Sequence, residues 1–98
     1  MTVTQDLKEK IESQVCNFFS AECEIDRSQI SGDTNIIENL GGDSLMFFEL
    51  ITGWKKEYSL DIELRQIGKY LTKNPAVTID EIVKLACLMI EKGSDFAV

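Results

Sequence analysis

Apolar residues recur every three or four positions along four stretches of this 98-residue chain. That spacing aligns them on one side of an α-helix, so each stretch predicts a helix with one face in a shared core. We expect three long helices and one short helix, at about residues 3–20, 44–58, 63–72 and 79–92. The predicted fold class is all-α, a small four-helix bundle with a long first loop, in a single domain of residues 1–98.

Polar residues mark the ends of the first and last helices. Thr2 and Gln5 have the spacing of a capping box at the start of the first helix, and Thr78 and Glu81 have it at the start of the last. Gly93 follows the last helix and is typical of a helix end. These signals predict where both helices begin and where the last one stops.

Residues 21–43 form a long polar connection between the first two helices. A connection of this length in a small domain usually has a function. Asp33 or Thr34 is expected to cap a single helical turn within it. Three apolar residues predict that the loop packs against the core, namely Ile36, Ile37 and Leu40.

The formal net charge of the chain is −7, from 17 acidic and 10 basic residues. This balance excludes nucleic acid as a partner, because phosphates require a basic surface, and it favours basic proteins. No apolar run is long enough to span a membrane, and the N-terminus lacks the apolar core of a secretory signal. Cys16, Cys23 and Cys87 lack metal-ligand spacing, so we expect no metal site, no disulfide framework and a cytoplasmic location.

Residues 40–45 read LGGDSL, and Ser44 within them is the candidate functional residue. A serine nucleophile needs a base, but the chain has no histidine, and Phe47 stands where a Ser-x-x-Lys pair would have its lysine. We therefore expect no enzymatic activity. Two interpretations of Ser44 remain, a helix cap and a site of covalent modification. The start of a helix favours a phosphate group, which supports the second interpretation.

The surroundings of Ser44 resemble the acyl carrier protein family over about residues 3–92. The family motif L-G-x-D-S-L is matched in full by residues 40–45. Asp33-Thr34 precedes the motif by about ten positions and Glu49 follows it inside the second helix, as is common in the family. Two later passages are also similar to the family, namely Tyr58 with Asp61-Ile62-Glu63, and Thr78-Ile79-Asp80-Glu81-Ile82.

This resemblance implies a covalent cofactor, 4′-phosphopantetheine, attached to Ser44 by a separate phosphopantetheinyl transferase (a holo-acyl-carrier synthase) that uses coenzyme A. Ser44 is then a substrate whose hydroxyl displaces the nucleotide, and the arm carries acyl groups as thioesters. Asp43 either caps the helix or helps to orient Mg²⁺ or a basic residue of the transferase. The resemblance also implies a monomer that meets acyl-loading, condensing and transferring enzymes through Leu45, Glu49 and Glu57.

The second helix departs from the family pattern, which is acidic there. Residues 44–58 hold two acids and two bases, so housekeeping fatty-acid enzymes are expected to be poor partners. A specialised lipid or polyketide pathway is as compatible with the sequence as fatty-acid synthesis. The bulky side chains Phe47, Phe48 and Trp54 either pack in the core or line the space for an acyl chain. A peptidyl or D-alanyl carrier and an unmodified helical interaction module remain open as alternatives.

Overall fold

Four α-helices make up the fold in the computed structural model, which describes residues 3–41 and 44–93. In chain order they are α1 (Gln5–Glu22), α2 (Ser44–Glu57), α3 (Leu64–Lys73) and α4 (Ile79–Lys92). Strand pairing among the described residues amounts to one isolated bridge between Asn35 and Thr78. The predicted all-α, four-helix fold is therefore confirmed.

The first helix is displaced by two residues from its predicted position. It begins at Gln5 because Thr4 caps it, with the Thr4 hydroxyl accepting a hydrogen bond from the Leu7 amide at 3.2 Å. The capping box expected from Thr2 and Gln5 is wrong, since Gln5 is already the first helical residue. Thr2 itself lies outside the described residues. Two threonines two positions apart offer the same cap signal, and periodicity alone does not choose between them.

The core lies where the apolar faces of the helices meet, and α1 packs most extensively against α4. Every helix contributes buried side chains, and three more come from the connections, Ile30 and Ile36 before α2 and Ile62 before α3. The buried apolar residues are Ile11, Val15, Cys16, Phe19, Ile30, Ile36, Leu50, Ile51, Trp54, Ile62, Ile67, Ile79, Ile82, Val83, Leu85, Ala86, Met89 and Ile90. Burial of these side chains is the main favourable contribution to folding.

The long connection is fastened to the start of α4 by backbone hydrogen bonds. The Ile36 amide donates to Val77 at 2.8 Å, and the Ile79 amide donates to Thr34 at 3.1 Å. The connection therefore packs against the core, as expected, although its apolar residues differ in burial. Ile36 is buried, Leu40 is half-buried against the core, and Ile37 is exposed.

Two polar details shape this connection. The amide of Asp80 donates to the Gly32 carbonyl at 2.8 Å, and a Cβ atom at Gly32 would overlap the Asp80 carboxylate. The short turn at residues 36–40 is capped by Asn35, whose side-chain oxygen accepts from the amides of residues 37 and 38. The cap expected from Asp33 or Thr34 is therefore wrong, since Thr34 is buried and its hydroxyl instead accepts from the Ser31 amide.

The start of α4 generates a test of stability. Thr78 and Glu81 form the predicted capping box, with the Glu81 amide donating to the Thr78 hydroxyl at 3.2 Å and the Thr78 amide donating to the Glu81 carboxylate at 3.1 Å. We expect Thr78→Ala to lower the free energy of unfolding by about 1 kcal/mol, measured by urea denaturation. The control Thr52→Ala changes an exposed threonine inside α2 and is expected to cost nothing. Equal losses in both variants would contradict the capping role.

The burial of the thiols generates a second test. Cys16 is buried and Cys87 is half-buried, and burial raises the pKa of both thiols. Because the thiolate is the reactive form, we expect both to label at least about tenfold more slowly in the folded chain than in urea. Cys23 lies at the end of α1 and is expected to label first. Mass spectrometry of labelled peptides measures the rates, and fast native labelling of Cys16 would contradict the packing.

Candidate functional site

Ser44 is the first residue of α2. The first amides of a helix have no acceptors within the helix, and the helix dipole places positive potential there. A phosphate attached at this position is therefore favoured electrostatically. The side chain of Ser44 and the whole of Gly42 and Asp43 lie outside the described residues.

The chain on both sides of Ser44 is at the surface. Gly41 is exposed, and apart from Gly41 itself and its chain neighbours no described atom lies within 4 Å of the place where a Cβ would stand. Its φ of +68° belongs to the left-handed region, which glycine adopts without strain. On the other side, the Leu45 side chain is 66% exposed. The nearest residues on either side of Ser44 whose exposure the structure describes are therefore both exposed.

Buried contacts nevertheless hold the segments before and after Ser44. Upstream, Ile36 is buried and Leu40 packs half-buried against the core. Downstream, α2 is anchored through Leu50, Ile51 and Trp54. Ser44 thus lies in the chain between two anchored segments, at the end of a connection of the kind that often carries functional residues.

The three residues predicted to contact partners lie at different distances from Ser44. Leu45 and Glu49 are exposed within the first two turns of α2. Glu57 is also exposed, but it lies thirteen positions after Ser44, about 20 Å along the helix at 1.5 Å per residue. Its carboxylate accepts a hydrogen bond from Gln14 of α1 at 3.3 Å. Leu45 therefore lies next to Ser44, whereas Glu49, five positions on and about 140° round the helix, and Glu57 both lie on another side of α2.

The bulky residues of α2 divide between its two faces. Trp54 is 3% exposed and Phe47 packs half-buried against the core, which fits the core-packing interpretation. Phe48 does not fit the core-packing interpretation, since its side chain is 45% exposed. The sequence contained a signal that some apolar side chains of α2 would be exposed, because the apolar positions of α2 cover more than one stripe of the helix. Periodicity could not tell which of them points outward.

The acid and threonine that precede the motif have a structural role. The Ser31 hydroxyl donates to the Asp33 carboxylate at 2.6 Å, and this hydrogen bond lowers the pKa of Asp33. Thr34 is buried and accepts from the Ser31 amide at 2.9 Å. The pair therefore stabilises the turn that leads the connection onto α4.

A shallow groove of about 360 Å³ lies between α1 and α2. Its walls are Gln14, Phe18, Glu49, Leu50, Gly53, Trp54 and Glu57. At about 100° per residue, Gly53 lies on the side of α2 opposite to Ser44. The groove is therefore not a continuation of the surface around the candidate residue.

Two kinds of site are not found in the part of the chain that the structure describes. No group of three or more cysteine, aspartate or glutamate side chains is arranged to hold a metal ion within residues 3–41 and 44–93. Nor does any helix in those ranges have the length and apolar character that a membrane span requires.

Comparison with known proteins identifies relatives that cover most of the chain. A family model described as "phosphopantetheine attachment site" matches residues 13–84, which include Ser44. An "acyl carrier protein homolog" of Clostridium acetobutylicum is 44% identical over 93 residues, covering 95% of this chain and 90% of the relative. An "acyl carrier protein" of Thermotoga maritima is 27% identical over 74 residues, covering 76% of this chain and 91% of the relative.

Proposed function

This chain belongs to the acyl carrier protein family, and on that premise we propose that it carries acyl groups as thioesters on a phosphopantetheine arm at Ser44. Members of the family are carriers rather than enzymes, and covalently attached 4′-phosphopantetheine is their cofactor. The observation that carries the assignment of the residue is the position of Ser44 at the start of α2, inside the matched residues 13–84.

The residues around Ser44 fit a phosphopantetheine arm. A serine hydroxyl can form the phosphodiester, and the helix start favours its negative charge. Exposed Gly41 and Leu45 leave room for the arm and for the enzyme that attaches it. The terminal thiol of the cofactor, when bound, supplies the thioester chemistry, and this chain has no histidine to act as a base in it.

The chain's own contribution is to present one hydroxyl to a transferase. A bond forms between the Ser44 oxygen and the phosphorus next to pantetheine in coenzyme A, and the bond from that phosphorus to the nucleotide breaks. The hydroxyl proton leaves to a base of the transferase. Asp43, next to Ser44 in the chain, is proposed to help orient Mg²⁺ or a basic transferase residue, or to cap α2.

Intact mass tests this assignment directly. Wild-type protein incubated with coenzyme A, Mg²⁺ and a broad-specificity phosphopantetheinyl transferase is expected to gain the mass of one arm. Ser44→Ala is expected to gain none, because the accepting hydroxyl is gone. Ser13→Ala, which changes an exposed serine of α1, is the matched control and should gain one arm.

Two results would contradict the proposal. One is an arm on the Ser44→Ala protein, which would place the attachment elsewhere. The other is the absence of any mass gain in wild type with several competent transferases. The second result would favour the unmodified helical module, in which Ser44 only begins a helix.

The names of the relatives support an acyl cargo, and the charge of α2 bears on the pathway. Among fatty-acid, specialised lipid and polyketide pathways, we favour a specialised one. The charges of Glu49 and Glu57 in α2 are balanced by those of Lys55 and Lys56. Enzymes that bind an acidic second helix are therefore attracted only weakly to this one. Cys16, Cys23 and Cys87 are not joined by disulfides in the structure, which supports our proposal of a reducing, cytoplasmic location.

Charge reversal in α2 tests this preference. Replacing Lys55 and Lys56 by glutamate leaves four acids and no base in the helix. We expect kcat/KM with housekeeping fatty-acid enzymes to rise and to become more sensitive to salt, because exposed charges are screened beyond about 8–10 Å. Both lysines stabilise the end of α2, so each change costs about 0.3–1 kcal/mol, and circular dichroism must first show an intact fold.

The specialised assignment fails if the wild-type holo-protein already serves those enzymes as well as a typical acidic carrier does. A housekeeping role would then replace it. The attachment at Ser44 is unaffected by this outcome, because the mass experiment tests it separately.

A further inference from the structure

The shallow groove between α1 and α2 opens on the side of α2 that faces away from Ser44. At about 100° per residue, its walls on α2 lie about 140° to 280° round the helix from Ser44. These walls are Glu49, Leu50, Gly53, Trp54 and Glu57. Gln14 and Phe18 of α1 form the opposite wall. A protein that binds in the groove therefore contacts the side of α2 opposite to Ser44.

The floor of the groove is apolar and its rim is acidic. Leu50 and Trp54 are buried, and Phe18 is half-buried against the core. Glu49 and Glu57 are exposed, and neither forms an ion pair with a described basic residue. The described walls include no basic side chain. The groove is therefore complementary to an apolar surface flanked by positive charges.

Glu49, Gly53 and Glu57 form one row along the surface of α2. Residues four positions apart are neighbours on a helix, so the two glutamates lie about 12 Å apart along the helix axis with Gly53 midway between them. The side-chain amide of Gln14 donates to the Glu57 carboxylate at 3.3 Å, which fixes that carboxylate beside the groove. The row thus consists of two acidic side chains separated by a position without a side chain.

The fold of this chain does not require a glycine at position 53. Gly53 lies inside α2, where glycine is less favourable than alanine, and its φ is not positive. Apart from the backbone of its own helix and its chain neighbours, no described atom lies within 4 Å of the place where a Cβ would stand. Gly68 in α3 is equally unhindered, but it is not a wall of this groove. Between the two glutamates, the missing side chain allows another backbone to approach closely.

We propose that this groove binds an amphipathic helix of a second protein, which carries two basic residues eight positions apart and an apolar residue midway between them. The basic residues pair with Glu49 and Glu57, and the apolar residue packs over Gly53. Rows of residues four apart interdigitate in this way in the commonest packing of two helices. The partner holds the chain while Ser44, on the other side of α2, stays accessible to another enzyme. This function goes beyond the attachment at Ser44 and does not depend on it.

A synthetic helical peptide tests the groove. The probe is a dye-labelled, alanine-rich peptide with a lysine, a leucine and a lysine at four-residue spacing. At about 0.15 M NaCl, the wild-type chain is expected to bind it about tenfold more tightly than a peptide of the same composition whose lysines lie on opposite sides of the helix. Because both peptides have the same charge, general attraction to an acidic chain cannot separate them. Fluorescence anisotropy measures both Kd values.

Four variants of the chain locate the binding. Gly53→Gln fills the gap without a change of charge and is expected to raise Kd about tenfold, while Gly68→Gln, the matched control in α3, stays within about twofold of wild type. Glutamine is a better helix former than glycine, so both variants keep their helices. Glu49→Gln and Glu57→Gln are each expected to raise Kd about threefold at about 0.05 M NaCl and to have no effect at about 0.5 M.

A second copy of the chain is the competing occupant, because Lys84, Leu88 and Lys92 in α4 have the spacing that the groove selects. We favour a second protein, since Leu88 is half-buried against its own core and two chains of net charge −7 repel each other. Sedimentation measures the mass of the free chain. A concentration-dependent increase that Gly53→Gln abolishes would assign the groove to a second copy and overturn the proposal.

Three further results overturn it. They are equal Kd values for the two peptides, a Gly53→Gln protein that binds as well as wild type, and a Gly68→Gln protein that loses as much. Arm attachment to wild type saturated with the matched peptide is expected to keep kcat/KM within about twofold, and a larger loss refutes the independence of the two sides. A chain that binds the matched peptide but receives no arm refutes the attachment at Ser44 alone.

Discussion

The backbone hydrogen bonds between residues 32–36 and residues 77–80 are the constraint on which the rest of the structure depends. The first amides of a helix need acceptors from outside it, and α4 finds two of them in the long connection, at Gly32 and Thr34. The same bonds fix a connection that would otherwise be free to move. Because this connection leads into α2, the start of α4 also determines where Ser44 is presented.

Ser44 lies in the chain between two segments that are anchored in the core. Thr34 and Ile36 are buried before it, and Trp54 holds α2 in the core after it. Between them the backbone passes through Gly41, whose φ of +68° lies in the left-handed region. The described segments on both sides of Ser44 are thus held by the core, which is the kind of support that a precisely placed functional residue needs.

The sequence predicted helix boundaries best where the residues of the cap lie next to the boundary and the tertiary packing agrees with them. The capping box of Thr78 and Glu81 placed the start of α4 correctly, since the amides it satisfies are next to it in the chain. The cap of α1 was missed because Thr2 and Thr4 carry the same local signal. Ser44 was placed at the start of α2 from its motif, but the exposure of Phe48 was not predicted. A helix with apolar residues on more than half of its circumference does not reveal from periodicity which of them the core will take.

The burial of Trp54 gives this chain an internal optical reporter. It is the one tryptophan of the sequence, and at 3% exposure its indole is shielded from water by the core. Its emission therefore follows the packing of α2 against the other helices without any attached dye. Because the ring points inward and Ser44 begins the opposite end of the helix, a change in emission on loading would show that cargo alters the interior and not merely the surface.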